Sequence, residues 1–238
     1  VPMILGSDGE RLSKRHGAVS VMQYHEDGYL PDALINYLAR LGWSHGDEEV
    51  FSREQLIEWF DLASINNSPA RFNPEKLSWL NQHYLKTVDA EQLITLAIPF
   101  LERDGCDTKA DLDLVQIVNL LKERVNTIEE LADAAVYFFR HLEPSDELKA
   151  LHFNAEIKPV LADLIEKLTT VEWNHEAIQS EIKQIVTTHH IKFPKLAMPL
   201  RVMVTGETQT PSIAAVLELL GREETLKRMN KRLASFPE

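Results

Sequence analysis

Thr127-Ile128-Glu129-Glu130-Leu131-Ala132-Asp133-Ala134-Ala135-Val136-Tyr137-Phe138-Phe139 carries the pattern that decides the fold. Thr127 can accept from a free backbone N–H at a helix start, and Glu130, three residues on, can reach back to a second one. Leu131, Ala134, Ala135, Phe138 and Phe139 then recur at intervals of three and four, which gathers them on one helical face. The same start signal stands at Ser52-x-x-Gln55. Asn73-Pro74 and Thr210-Pro211 each place a capping side chain before a proline, which the first helical position tolerates. Leu77, Leu80 and Tyr84 continue the helical period after Asn73. Strand-like alternation inside the body is confined to Leu200-Arg201-Val202-Met203-Val204. With no internal repeat or long polar linker, the chain is predicted to be mainly α.

Pro2-Met3-Ile4-Leu5, running into a Gly6-Ser7-Asp8-Gly9 turn, reads as the end of a buried strand. Such a strand needs neighbours, and the chain offers almost none. Its sheet is therefore expected upstream of Val1.

The 238 residues are 44% hydrophobic and 26% charged, an ordinary globular composition. No apolar run approaches the roughly 20 residues of a membrane helix, and the first residues lack the basic flank of a signal peptide. A lone Cys106 excludes an internal disulfide framework and fits a reducing cytoplasm. His45, His189 and His190 lack companions at ligand spacing, so no metal site is expected. Trp43, Trp59, Trp79 and Trp173 are read as core residues on apolar helical faces.

The net charge of −12 argues against indiscriminate coating of nucleic acid, which depends on Lys and Arg meeting phosphates. Its distribution is uneven. From Lys183 onward nine basic residues face five acidic ones, against 16 and 32 in the rest. An acidic body with a basic end suits selective docking to one polyanion.

Arg11-Leu12-Ser13-Lys14-Arg15-His16-Gly17 packs three cations, a histidine and a hydroxyl between glycines. A loop of this kind can grip a triphosphate through charge-assisted hydrogen bonds, on a backbone free to hinge. Residues 7–18, Ser-Asp-Gly-x-Arg-Leu-Ser-Lys-Arg-His-Gly-Ala, resemble the Lys-Met-Ser-Lys-Ser signature of class I aminoacyl-tRNA synthetases, in the Leu-Ser-Lys-Arg form typical of the glutamyl enzymes. The stretch from Val21 through Gly28-Tyr29-Leu30-Pro31, Ala33 to Leu38 and Leu41-Gly42-Trp43-Ser44 is similar to the same family. So are Phe72-Asn73-x-x-Lys76-Leu77-x-Trp79-Leu80-Asn81, Pro199-Leu200-Arg201 and Thr205-Gly206, and the likeness covers essentially the whole chain.

The resemblance implies roles residue by residue. Lys14 matches the second signature lysine, which contacts ATP; Arg11, Leu12, Ser13 and Arg15 complete the loop. Arg11 stands where the family's first signature lysine would be, so a planar fork replaces a point donor there. The His-Ile-Gly-His signature of the nucleotide-binding domain is nowhere in the chain. By itself the chain is therefore expected to hold no complete catalytic set, to be inactive, and to bind no cofactor. ATP and Mg²⁺ belong to the full-length enzyme, and an amino-terminal catalytic domain is an expected partner.

Unstacked RNA bases are read by guanidinium or aromatic planes and by hydrogen bonds to base edges. Arg201 on the short strand candidate, Thr210-Pro211 opening the next helix, and the apolar Ile213 and Ala214 beside it offer such partners. Lys227, Arg228, Lys231 and Arg232 recur at helical spacing and could follow a phosphate backbone. By resemblance, Arg201, Thr210, Pro211 and Ile213 fall on anticodon-contacting positions. Arg124 matches the arginine that selects the third anticodon base in enzymes charging only glutamate tRNA. An ion pair with Glu123, Glu129 or Glu130 is the competing reading of Arg124, and a surface charge that of Arg201.

The expected architecture is a helical stem-contact domain with the signature loop at 1–88, then helical anticodon-binding domains at 89–141 and 142–238. The function implied is the tRNA-binding, anticodon-recognising part of a cytoplasmic, monomeric glutamate-activating ligase that acts on a glutamate-specific tRNA. A glutaminyl or other class I enzyme is one rival, although β-barrel anticodon domains would be expected there. A helical RNA-binding or scaffold protein without catalysis is the other.

Overall fold

The computed structural model describes residues 2–14 and 20–237. The chain divides into two compact units, residues 1–100 with 122–133 and residues 101–121 with 134–238. Both are helical, as the mainly α expectation requires.

In the first unit, strand β1 (Ile4–Leu5) pairs in parallel with β2 (Ala70–Arg71), Ile4 opposite Ala70. Its other edge is taken by the chain that follows the turn: Leu12 N donates to Ile4 O at 2.9 Å and Gly6 N to Glu10 O at 2.8 Å. Partners for the opening strand are thus present in this chain, contrary to the expectation of a sheet lying wholly upstream. Helices α1 (Val21–Glu26), α2 (Pro31–Arg40), α3 (Arg53–Trp59) and α4 (Pro74–Thr87) build the body. The Ser52–Gln55 capping box forms in full, and Asn73 caps α4 by accepting from Lys76 N at 3.1 Å.

Leu34 and Tyr37 of α2 pack against Leu77 and Leu80 of α4, with Tyr24, Tyr29, Phe72 and Tyr84 around them. Tyr84 OH lies 2.8 Å from Asn36 Oδ1 and 2.5 Å from Phe51 O. Burial, with the nearby Asp32 carboxylate, pushes this phenol up to about 12. A hydroxyl so placed is a permanent donor. Trp43 is buried, but in the loop after α2, against Phe51 and Phe60. Trp79, read as core, is 45% exposed on α4 beneath the Lys76 ammonium, 4.3 Å from its ring centroid. Trp173 also lies off any helix and is only half-buried.

Helix α5 (Ala90–Arg103) precedes α6 (Leu114–Leu121) and a 3₁₀ turn at Lys122–Arg124, and α7 (Ile128–Phe139) follows. At the head of α7, Glu130 N donates to Thr127 Oγ1 at 3.1 Å. Glu130 in turn accepts from Asn126 N at 2.7 Å, one residue earlier than a capping box would have it.

The second unit continues with α8 (Asp146–His152), α9 (Lys158–Leu168), α10 (His175–Thr188), α11 (Phe193–Thr205), α12 (Ile213–Leu220) and α13 (Arg222–Leu233). Helix α10 packs on α9 and α12, and α13 on α9 and α11, around Leu161, Leu164, Ile178, Leu200, Val216 and Met229. Leu200–Val204, expected as a strand, is the last part of α11. Leu200, Val202, Met203 and Val204 are all 0% exposed, so no polar face marks the helical period there.

Candidate nucleic-acid interface

The hairpin arm that leaves β1 carries the start of the signature loop. Arg11 is exposed and bridged to Leu5, Leu12 is tied to Ile4, and Lys14 is exposed beyond them. Ser13 is half-buried. Arg15 lies outside the described residues. An ammonium and a guanidinium on this short arm are a donor set suited to phosphate oxygens. Among the described residues, no group of three His, Cys, Asp or Glu side chains could hold a metal ion.

Arg124 ends the 3₁₀ turn between α6 and α7, exposed, its side chain without a hydrogen bond or ion pair among the described residues. Two of the three acidic neighbours that could have paired with it have other partners. Glu123 faces Lys86 at 3.7 Å, and Glu130 holds Asn126. An exposed guanidinium on an ordered turn is available to a ligand.

Arg201, Thr210 and Pro211 come together in the second unit. From the surface of α11, Arg201 Nε donates to Thr210 Oγ1 at 2.7 Å and Nη2 to Pro211 O at 3.4 Å. Nη1 meets Met198 Sδ at 3.5 Å. Thr210, Pro211 and Ile213 are buried while Arg201 is half-exposed. The guanidinium is thus the more exposed edge of a cluster whose buried members Thr210 and Pro211 hold it. Thr210-Pro211 does not open α12, which begins at Ile213 after Ser212 with no side-chain cap. The Thr210 hydroxyl is used on Arg201 instead.

Two of the four cations expected to track phosphates point inward. Arg228 is 2% exposed, donating to Tyr137 O at 2.6 Å, Val204 O at 3.0 Å and Glu224 at 2.8 Å. Arg232 is likewise buried, donating to Leu142 O at 3.0 Å and pairing with Glu143. Lys149 and Arg232 together hold the Glu143 carboxyl down at about 2. Lys227, paired with Glu224, and Lys231 are left on the outer face of α13.

Sequence reasoning passed over the residues that hold Arg124's turn. Asn81 Nδ2 donates to Asn126 O at 2.6 Å, Gln82 Nε2 to Asn126 Oδ1 at 3.1 Å, and Ile128 N to Gly28 O at 2.9 Å. A signal was present: Asn81 interrupts the buried stripe Leu77, Leu80, Leu85 of α4.

The first unit thus carries an exposed arginine, Arg124, on a braced turn, and the second carries a half-exposed arginine, Arg201, held by Thr210 and Pro211. The family described as anticodon binding domain matches residues 92–233, and tRNA synthetases class I (E and Q), catalytic domain, matches residues 1–79. The chain belongs to the anticodon-binding domain family of class I tRNA synthetases. Within it, the similarity is to glutamate–tRNA ligases: 70% identity over 238 residues with that of Nitrosospira multiformis and 66% over 237 with that of Nitrosomonas europaea. Those alignments cover 99% and 100% of this chain and 51% of each relative, so the chain spans about half the length of the relatives it matches. The crystal structure of a glutamate tRNA ligase from Elizabethkingia meningosepticum, in complex with its amino acid, matches with a TM-score of 0.87 at 27% identity. That match covers 99% of this chain and 51% of the other.

Proposed function

We propose that the chain is the tRNA-reading part of a glutamate–tRNA ligase. In the full-length enzyme glutamate is activated with ATP and then transferred to the 3′ end of its tRNA. The observation that carries the reading is Arg124, an exposed arginine on a braced turn with no side-chain partner among the described residues. Arg201, oriented by Thr210 and Pro211, is its counterpart in the second unit, and the buried Ile213 nearby in sequence belongs to the same reading. A guanidinium on an anticodon base gives hydrogen bonds and stacking together. The proposed segments are stem contact at 1–88 and anticodon binding at 89–141 and 142–238. Monomeric action in the cytoplasm belongs to the same reading.

Lys14, with Arg11 beside it, is assigned to the ATP phosphates. ATP supplies the activated leaving group, pyrophosphate, and Mg²⁺ would enter with the nucleotide's own oxygens. A lysine positioned on the departing phosphates acts most strongly as their charge develops.

Charging of unfractionated tRNA by the full-length protein tests the whole reading. Glutamate is expected to be the amino acid incorporated. Lys14→Ala is expected to lower kcat by about 100-fold, typical for loss of one transition-state donor, with the KM for tRNA little changed. Absence of glutamate incorporation, or preference for another amino acid, would refute it.

A further inference from the structure

Asn81 is 0% exposed, so it cannot touch RNA, yet its carboxamide reaches two distant segments of the first unit. Oδ1 accepts from Leu30 N at 2.8 Å, and Nδ2 donates to Asn126 O at 2.6 Å. The partners fix its orientation, because an N–H must face the oxygen and a carbonyl the NH₂. Asn126 is held on every side: its N and Nδ2 reach Glu130 Oε2 at 2.7 and 3.2 Å, and its Oδ1 accepts from Gln82 at 3.1 Å. Just beyond, Ile128 N donates to Gly28 O. Gly28 has φ +78°, and a Cβ there would lie 2.5 Å from Glu129 N, so the two backbones meet where no side chain fits. Before Arg124, Lys122 Nζ donates to Val88 O at 3.3 Å and Lys86 faces Glu123.

We propose that Asn81 is a positioning residue for Arg124, fixing the turn from which that free guanidinium reads its base. The proposal rests on the reading of Arg124 given above and adds the residue that aims it. A flexible arginine discriminates between bases only when its backbone is held to within about 0.5 Å. Helix α4 supplies that hold through Asn81, seconded by Gln82 one residue on. The carboxamide couples the Leu30 turn, the helix and the Arg124 turn into one block. Removing the Asn126 bond while keeping the Leu30 bond releases the turn without emptying the core.

Asn81→Asp does this: the shape and the Leu30 acceptor stay, and a second acceptor then faces the Asn126 carbonyl. Gln82→Ala removes only the outer brace and leaves the buried stripe intact. Both are made in the full-length enzyme, with Arg124→Gln and the double variants, and melting curves confirm folding. The readout is the ratio of kcat/KM for glutamate tRNA to that for the same tRNA changed at the third anticodon base. Asn81→Asp is expected to lower the ratio about tenfold, through KM for tRNA with kcat nearly kept, and Gln82→Ala about threefold. Added to Arg124→Gln, neither is expected to lower it further, because residues acting as one unit are not additive. Should Asn81→Asp not fold, Gln82→Ala alone decides. A ratio that Arg124→Gln lowers but the other variants leave intact, or effects that simply add, would overturn the proposal. A ratio that Arg124→Gln itself leaves unchanged overturns the Arg124 reading and the proposal with it.

Discussion

Arg201 Nε donates to Thr210 Oγ1 at 2.7 Å, across the loop that joins α11 to α12. Nine residues apart, the two form a unit in which a buried hydroxyl orients a half-exposed guanidinium. Thr210→Val keeps the shape and removes the acceptor. The KM for glutamate tRNA is expected to rise about tenfold, or about 1.4 kcal/mol, with the melting temperature little changed. Thr210→Ser restores the hydroxyl and is expected to stay within about twofold. Steady-state charging kinetics of the three proteins check this, and equal defects in Val and Ser variants would assign the residue a packing role only.

Arg228 and Lys227 are adjacent in sequence and opposite in consequence. Arg228→Ala leaves Tyr137 O and Val204 O without their donor and Glu224 without its buried partner. A loss of about 3–5 kcal/mol in urea unfolding is expected, as for other broken buried pairs. Lys227→Ala removes an exposed pair and is expected to change stability by less than about 0.5 kcal/mol.

Trp43 and Trp79 separate in the same way. Trp43→Ala empties a site lined by Phe51 and Phe60 and is expected to cost about 3–5 kcal/mol. Trp79→Ala, at the exposed end of a cation–π contact with Lys76, is expected to cost about 1 kcal/mol or less. Thermal melts of the two variants distinguish them.

His141 gives the second unit a pH dependence. Burial pushes its imidazole below the ordinary range, its hydrogen bond with Met203 O opposes that, and Arg232, Arg228 and Lys231 add to the lowering. Nε2 lies 2.8 Å from Met203 O and 3.4 Å from Arg232 Nε. The shorter contact sets the tautomer, with Nε2–H donating to the carbonyl. The unfolded chain therefore takes up a proton before the folded one does. Stability from this group is full above the unfolded value of about 6.5 and declines as pH falls below it. Glu143, held near 2, does not titrate in that range. Urea midpoints at pH 7 and 5 are expected to fall less in His141→Gln than in the parent.

Local signals were the legible ones. The caps at Ser52 and Asn73 join a side chain to a backbone N–H three residues away, so both partners are visible in the sequence. The apolar stripes of α4 and α7 were legible because water touches one face of each. Leu200–Val204 was not, because four of its five residues are buried and Pro199 just before them is a poor helix former. The spacing of Arg228 and Arg232 showed that they share a face of α13, but not that the face turns inward with Thr225 and Met229. The partners of Asn81 lie 51 and 45 residues away, beyond any local pattern. Within the candidate site, resemblance singled out Arg124 and Arg201. The structure adds that the first has no side-chain partner among the described residues and that the second is held by Thr210 and Pro211.

The most direct measurement is competitive charging of glutamate and glutamine tRNAs by the full-length enzyme and its Arg124→Gln variant. Loss of one guanidinium–base contact is expected to shift the charging ratio toward glutamine tRNA by about 10-fold or more, in line with about 1–3 kcal/mol for a bidentate base contact. A ratio that stays the same would contradict the account, leaving Arg124 an ordinary surface charge.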